Sequence, residues 1–216
     1  MNISSNTLSV LKSFTTINPS IVINPGSTIR TISPQKTIMA IAEVEDEFDS
    51  EFAIYDLNQF LSAVSLFDSP DFSFDDSSVT IANGKSSMKY FFADKNMVMS
   101  APDKQLNLPD VVVEFKLTQD TLKSTMQAAS VFQAPNWAVV GNGSTVTLEV
   151  GDVKNPTSNK YRVEVGETDS EFELVFKVDN LKLMSNDYTV KISSKGISHF
   201  ATEKGNLHYY IATESR

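Results

Sequence analysis

The side chains able to do chemistry are few, and their spacing excludes most of it. There is no cysteine, which removes disulfides, thiolate metal sites and cysteine nucleophiles. The two histidines, His199 and His208, fall in expected C-terminal strands with no nucleophile or metal-ligand spacing around them, and both read as sheet or surface residues. The acidic run Glu43-Val44-Glu45-Asp46-Glu47-Phe48-Asp49 lacks a calcium-loop pattern and reads as a solvated loop; Asp75-Asp76 reads as a turn. No glycine-rich phosphate loop is present to support nucleotide hydrolysis. Trp137 reads as core and not as a platform for stacking single-stranded bases. No metal, no cofactor and no catalysis are therefore expected. What remains is contact chemistry: ammonium, amide and hydroxyl groups repeated at helical spacing.

Two helices must carry those groups. At 100° per residue the first places Ile3, Val10, Leu11, Phe14 and Ile17 on one arc, with Leu8 at its edge, and Ser5, Ser9, Lys12 and Thr16 opposite. The second gathers Leu117, Leu122, Ala128, Ala129 and Phe132, and faces outward with Gln119, Lys123, Gln127 and Ser130. Neither polar stripe contains a carboxylate. Two shorter helices are mixed: Asn58, Gln59 and Ser62 are neutral, while Lys182, Ser185 and Asn186 share their face with Asp179.

These helices belong to a duplicated unit. Ile3-Ser4-Ser5-Asn6-Thr7-Leu8 and Leu117-Thr118-Gln119-Asp120-Thr121-Leu122 share a pattern of apolar residue, capping hydroxyl, two polar residues and Thr-Leu. Asp49-Ser50-Glu51-Phe52 recurs as Asp169-Ser170-Glu171-Phe172. Tyr55-Asp56-Leu57-Asn58-Gln59-Phe60-Leu61 is echoed by Phe176-Lys177-Val178-Asp179-Asn180-Leu181, where a strand gives way to a short helix. Around them the sequence alternates, rich in β-branched and aromatic residues, with turns at Asn24-Pro25-Gly26, Asn83-Gly84, Gly141-Asn142-Gly143 and Lys195-Gly196. The expected plan is α+β: residues 1–93 and 111–216 form two similar domains, each with antiparallel sheet and two helices. Residues 94–110, aperiodic and holding Pro102 and Pro109, connect them.

The chain has 216 residues and a net charge of −9, a sign that by itself argues against nucleic acid. The deficit is uneven: residues 1–108 carry 7 basic and 13 acidic groups, residues 109–216 carry 11 and 14. No run approaches the roughly 20 apolar residues of a membrane helix, and the first residues show no basic and apolar export signal. A cytoplasmic location is expected.

The segment Phe52-Ala53-Ile54-Tyr55-Asp56-Leu57-Asn58-Gln59-Phe60-Leu61 resembles the DNA polymerase sliding clamps of T-even-type tailed phages, within the wider two-domain ring clamps. Leu11-Lys12-Ser13-Phe14-Thr15-Thr16-Ile17-Asn18 is similar to that family's first helix, and Val79-Thr80-Ile81-Ala82-Asn83-Gly84-Lys85-Ser86 to its following hairpin. In the second half the likeness is mainly one of layout, with Tyr161-Arg162-Val163-Glu164-Val165-Gly166 its best segment.

The resemblance implies a DNA-clamp fold and a head-to-tail homotrimeric ring whose helices line a hole threaded by double-stranded DNA. Partners would be the replicative DNA polymerase, a clamp-loader ATPase and late transcription factors, in the cytoplasm of an infected bacterial host. It turns the charge argument round: a sliding tether needs weak attraction inside, and an acidic exterior keeps DNA out of the wrong places. Carried over residue by residue, it implies a DNA-facing role for Lys12, Lys123 and Lys182, with Gln119 and Gln127 beside them. The second inner helix carries one cation where family members tend to carry more. The resemblance further implies subunit edges at Tyr90, Phe91 and Phe92 and at Tyr161 and Val163. It also implies a partner-peptide pocket at Met97, Val98, Met99, Leu106, Leu108 and Tyr210. The competing reading is a non-catalytic, β-rich virion or tail assembly protein.

Overall fold

A computed structural model describes residues 1–103 and 106–214 of the chain. Lys104 and Gln105 of the expected connector, and Ser215 and Arg216 of the expected second domain, lie outside the described residues. The chain forms two compact units, Met1–Asp103 and Lys104–Arg216.

The first unit opens with α1 (Ser5–Phe14), begun where the Ser4 hydroxyl accepts the amide of Thr7 at 3.1 Å. Its apolar arc is buried as the spacing requires: Val10, Leu11 and Phe14 are covered while Ser5, Ser9 and Lys12 face solvent. Seven strands follow in the order β1 (Ile21–Ile23), β2 (Gly26–Ile32), β3 (Ile38–Phe48), β4 (Phe52–Ile54), β5 (Asp71–Phe74), β6 (Ser78–Asn83) and β7 (Ser86–Phe91), with α2 (Leu57–Val64) between β4 and β5. All pairings within the unit are antiparallel: β1 with β4, β2 with β3, and β5-β6-β7 as one sheet. Phe14, Ile21, Ile23, Ile29, Ile54 and Phe60 are fully buried between these layers. Each adds about 1.5–3 kcal/mol of burial free energy.

The acidic run is a strand and not the loop expected of it. β3 continues through Phe48 because Val44 and Phe48 keep the period of two on the buried side while Glu43, Glu45 and Glu47 point outward. Asp46, on the inner side, has a structural task. Its carboxylate accepts the Ser4 amide at 2.9 Å and the Thr7 hydroxyl at 2.5 Å, fastening the start of α1 to β3. Burial raises the pKa of Asp46, but the hydrogen bonds from Thr7 and Ser4 outweigh it and hold the carboxyl below its ordinary range. β5 went unread in the sequence, its four residues Asp71–Phe74 lying among serines, aspartates and Pro70.

The second unit repeats the opening. β8 (Val111–Leu117) leads to α3 (Gln119–Phe132), whose first turn is capped by the Thr118 hydroxyl on the Thr121 amide at 3.2 Å. Ser4 and Thr118 thus do the same work in the two copies. β9 (Asn136–Asn142), β10 (Thr145–Gly151), β11 (Tyr161–Glu167) and β12 (Glu171–Lys177) form a sheet in the order β11-β10-β9-β12. β13 (Tyr188–Ser193), β14 (Ile197–Thr202) and β15 (Leu207–Ala212) follow, with β8-β13-β14-β15 the spatial order within the unit. Trp137, Phe176, Tyr188, Phe200 and Tyr209 are fully buried. Trp137 is core, as read, and lies inside β9.

The copies diverge at the second helix. In the first unit Asp56 accepts the Gln59 amide at 2.9 Å and starts α2. The corresponding position holds Lys177, which can only donate and whose charge opposes a helix N-terminus; it pairs instead with Glu214 at 3.3 Å. A single 3-10 turn, Val178–Asn180, stands where the spacing predicts a helix, followed by the irregular stretch 181–187.

Candidate nucleic-acid interface

The helices present the stripes expected of them. Ser5, Ser9, Lys12 and Thr16 are exposed on and just beyond α1, Asn58, Gln59 and Ser62 on α2, and Gln119, Lys123, Gln127 and Ser130 on α3. Among the described residues no carboxylate lies within ion-pairing distance of Lys12 or Lys123. By contrast the sheet cations Lys89, Lys116, Arg162 and Lys191 each sit within 3.5 Å of one. Between α1 and α2 runs an open groove of about 680 Å³, floored by Ile3, Leu8, Leu61 and Phe67 and rimmed by Lys12, Asn58 and Ser62. Ammonium, amide and hydroxyl donors of this kind fit phosphate oxygens. No arginine stands on the stripes to fork onto a guanine edge, so contact there carries no sequence information. Two details depart from the expectation. Asp120 is exposed in the first turn of α3 and borders the stripe, and Phe132, placed on the apolar arc, is 39% exposed at the helix end. Lys182 is exposed too, but on the irregular stretch and not on a helix.

Two sheet edges are open among the described residues. β7 pairs only with β6, and β11 only with β10. On β7 the three aromatic residues divide by face: Tyr90 meets Phe60 edge-on at 5.2 Å, Phe92 stacks on Phe52 at 4.9 Å, and Phe91 is 68% exposed. On β11 Tyr161 and Val163 are half-buried and alternate with exposed Arg162 and Glu164. Glu149 of β10 accepts from both Lys160 and Arg162 and fixes that strand. Burial raises the pKa of Glu149, while the hydrogen bonds from Lys160 and Arg162 bring it below the ordinary range.

The residues assigned to a peptide pocket scatter. Met97 is 70% and Met99 41% exposed, and they line a surface hollow with Pro19, Pro34 and Tyr55, which the sequence reading missed because they lie far apart in the chain. Val98 faces the other way, packed on Val22 and Ala53. In the second unit Leu106 and Leu108 are half-buried and Tyr210 is buried.

A family model described as DNA polymerase processivity factor matches residues 4–100, and one described as gp45 sliding clamp, C terminal, matches residues 114–215. Over its whole length the chain is 35% identical to a sliding clamp of Vibrio phage KVP40, all of which it covers. The chain belongs to the phage sliding-clamp family. It is also 29% identical to the sliding clamps of Escherichia phage RB69 and Enterobacteria phage T4, covering 97% of each. Among solved structures the clamp superposes on A. fulgidus PCNA bound to the C-terminal region of FEN-1, with a TM-score of 0.70 at 15% identity over 97% of this chain and 95% of that one. It superposes on the DNA polymerase III subunit beta sliding clamp of Bartonella birtlesii with a TM-score of 0.73 at 13% identity, covering 100% of this chain and 65% of that one. At these identities the likeness is one of fold. A virion or tail assembly role is not favoured, since both halves match clamp models.

The clamp's two histidines form a pair that spacing did not reveal. His199 Nε2 lies 3.0 Å from His208 Nδ1, with the rings 16° from parallel. His208 Nε2 is 2.9 Å from the Gly205 carbonyl, which can only accept; the His208 proton therefore sits on Nε2, and His199 donates to Nδ1. The His199 pKa is pushed down to about 4 by burial, with the charges of His208 and Lys191 adding to it. A folded chain holding this ring neutral loses stability as pH falls from the ordinary 6.5, where the unfolded chain takes up its proton, to about 4, where the folded ring does too. Allowing for water that still reaches the ring, the loss is about 1–2 kcal/mol. Urea midpoints of wild type and His199→Gln at pH 7.5 and 4.5 measure it: the variant is expected to lose less on acidification.

Proposed function

We propose that three copies of this chain close head to tail into a ring around duplex DNA and hold the replicative polymerase to its template by encirclement. The inner wall is formed by α1, α2 and α3, and DNA meets Lys12, Lys123 and Lys182 with Gln119 and Gln127 beside them. The carrying observation is that Lys12 and Lys123 stand unpaired on carboxylate-free stripes of a chain with net charge −9, whereas the sheet cations Lys89, Lys116, Arg162 and Lys191 are bound to carboxylates. Attraction of this kind is weak and indifferent to sequence, as sliding requires.

Ring closure joins the β7 edge of one subunit, with Phe91 exposed on it, to the β11 edge of the next, with Tyr161 and Val163, which also covers strands that would otherwise invite random pairing. The connector is residues 94–110. Polymerase and the loader ATPase dock through short apolar peptides on the patch around Met97 and Met99, where flexible methionines suit more than one partner; Val98, Leu106, Leu108 and Tyr210 support it from beneath. The clamp performs no chemistry itself and works in the cytoplasm of the infected host, where kinship extends the role to a mobile activator of late transcription. Loader-dependent stimulation of the cognate polymerase on primed circular DNA, absent on short linear DNA with free ends, tests the reading.

A further inference from the structure

The stretch that replaces a helix in the second unit has no helical hydrogen bonds to hold it, yet it is not loose. Two buried tyrosines grip its middle. The Met184 amide donates to the Tyr209 hydroxyl at 3.2 Å, and the Tyr188 hydroxyl donates to the Met184 carbonyl at 2.6 Å. Both rings are almost wholly buried and meet edge-on, with centroids 6.1 Å apart. The two hydroxyls and the Asn186 amide share further hydrogen bonds. At the far end Asp187 accepts the Gln119 amide at 2.6 Å, tying the stretch to the first turn of α3. Each attachment satisfies a backbone or hydroxyl group that would otherwise be costly to bury.

We propose that Tyr188 and Tyr209 are positioning residues for DNA contact: their hydroxyls clasp the Met184 peptide and hold the helix-less stretch 181–187 flush with α3, fixing where Lys182 meets the phosphate backbone. This rests on the DNA-facing reading of Lys182. A helix would fix such a lysine through its own backbone ladder; here two side chains from β13 and β15 do so from below. Asp187 joins the same stretch to Gln119, so the clasp sets Lys182 and the α3 stripe as one surface.

Tyr188→Phe and Tyr209→Phe in the full chain test it, since each keeps the ring in the core and removes only the hydroxyl. In the free protein, trypsin cleavage after Lys182 reports opening of the stretch. Each variant is expected to be cut there roughly ten-fold faster, the effect of one lost buried hydrogen bond, with cleavage after Lys12 and Lys123 unchanged. Amide exchange at Met184 and Ser185 is expected to speed up in parallel. On primed circles both variants are expected to lower polymerase stimulation to the level of Lys182→Gln. Unchanged cleavage and exchange overturn the clasp. Faster cleavage with wild-type stimulation, while Lys182→Gln is impaired, overturns the positioning role. Wild-type stimulation by Lys182→Gln itself defeats the DNA-facing assignment on which the proposal stands.

Discussion

Charge reversal of Lys12 and Lys123 together, as K12E/K123E, is expected to cut stimulation of the cognate polymerase on primed circular DNA by at least about ten-fold while the ring stays intact. Both side chains are exposed and without a carboxylate partner among the described residues, so their replacement removes no internal interaction and leaves stability nearly untouched. In a ring of three subunits the change places six carboxylates on the inner wall in place of six ammonium groups. The wall then repels the phosphates it formerly attracted, and the loader must thread DNA against that field. K116E/K191E is the informative control. Those lysines are already neutralised by Glu203 and Glu114, and their reversal is expected to leave stimulation within about two-fold of wild type. Light scattering on both double variants checks that assembly is unchanged. Normal stimulation by K12E/K123E with an intact ring refutes the assignment of the stripes to DNA.

The second large effect is expected at Phe91. Phe91→Asp is expected to shift the particle measured by light scattering from three chain masses to one and to abolish stimulation, with thermal unfolding of the monomer little changed. Phe91 is 68% exposed on an open edge strand, so its loss costs the single chain almost nothing. In the ring it is buried three times over, and a central aromatic residue of an interface typically contributes about 2 kcal/mol or more. A carboxylate at the same place must also be desolvated, which adds to the penalty. Its neighbour behaves in the opposite way. Phe92 stacks on Phe52 at 4.9 Å and lies 6.4 Å from Phe74, so Phe92→Ala is expected to lower the unfolding temperature by several degrees through a cavity of about 3 kcal/mol. If both variants lose the ring only by unfolding, the edge assignment is wrong.

The elements legible in the sequence are those whose local chemistry and periodicity agree. Ser4 and Thr118 announce two helices because a hydroxyl three residues before an orphan amide is nearly sufficient to start one. Most strands are readable from alternation bounded by Asn-Gly and Lys-Gly turns. Charge masked β3: Glu43, Glu45 and Glu47 read as a loop until the burial of Val44 and Phe48 shows the period beneath. The missing second helix of the second unit was readable only by asking what Lys177 can do where the first unit has Asp56. At the candidate site the stripes on α1 and α3 were legible because helical geometry fixes which residues share a face. The hollow beside Met97 was not, since Pro19, Pro34 and Tyr55 converge on it from three separate turns. The His199–His208 pair escaped for the same reason: their spacing in the chain is uninformative, and only the register of β14 against β15 brings the rings together.

The most direct test is retention on DNA of two topologies. The clamp is loaded by its loader onto nicked circles, separated from free protein by gel filtration, and half the sample is linearised with a restriction enzyme. Attachment by encirclement predicts that the clamp stays with the circles at moderate salt and runs off the ends once they are cut, whereas equal retention on circular and linear DNA would show that it grips and does not encircle.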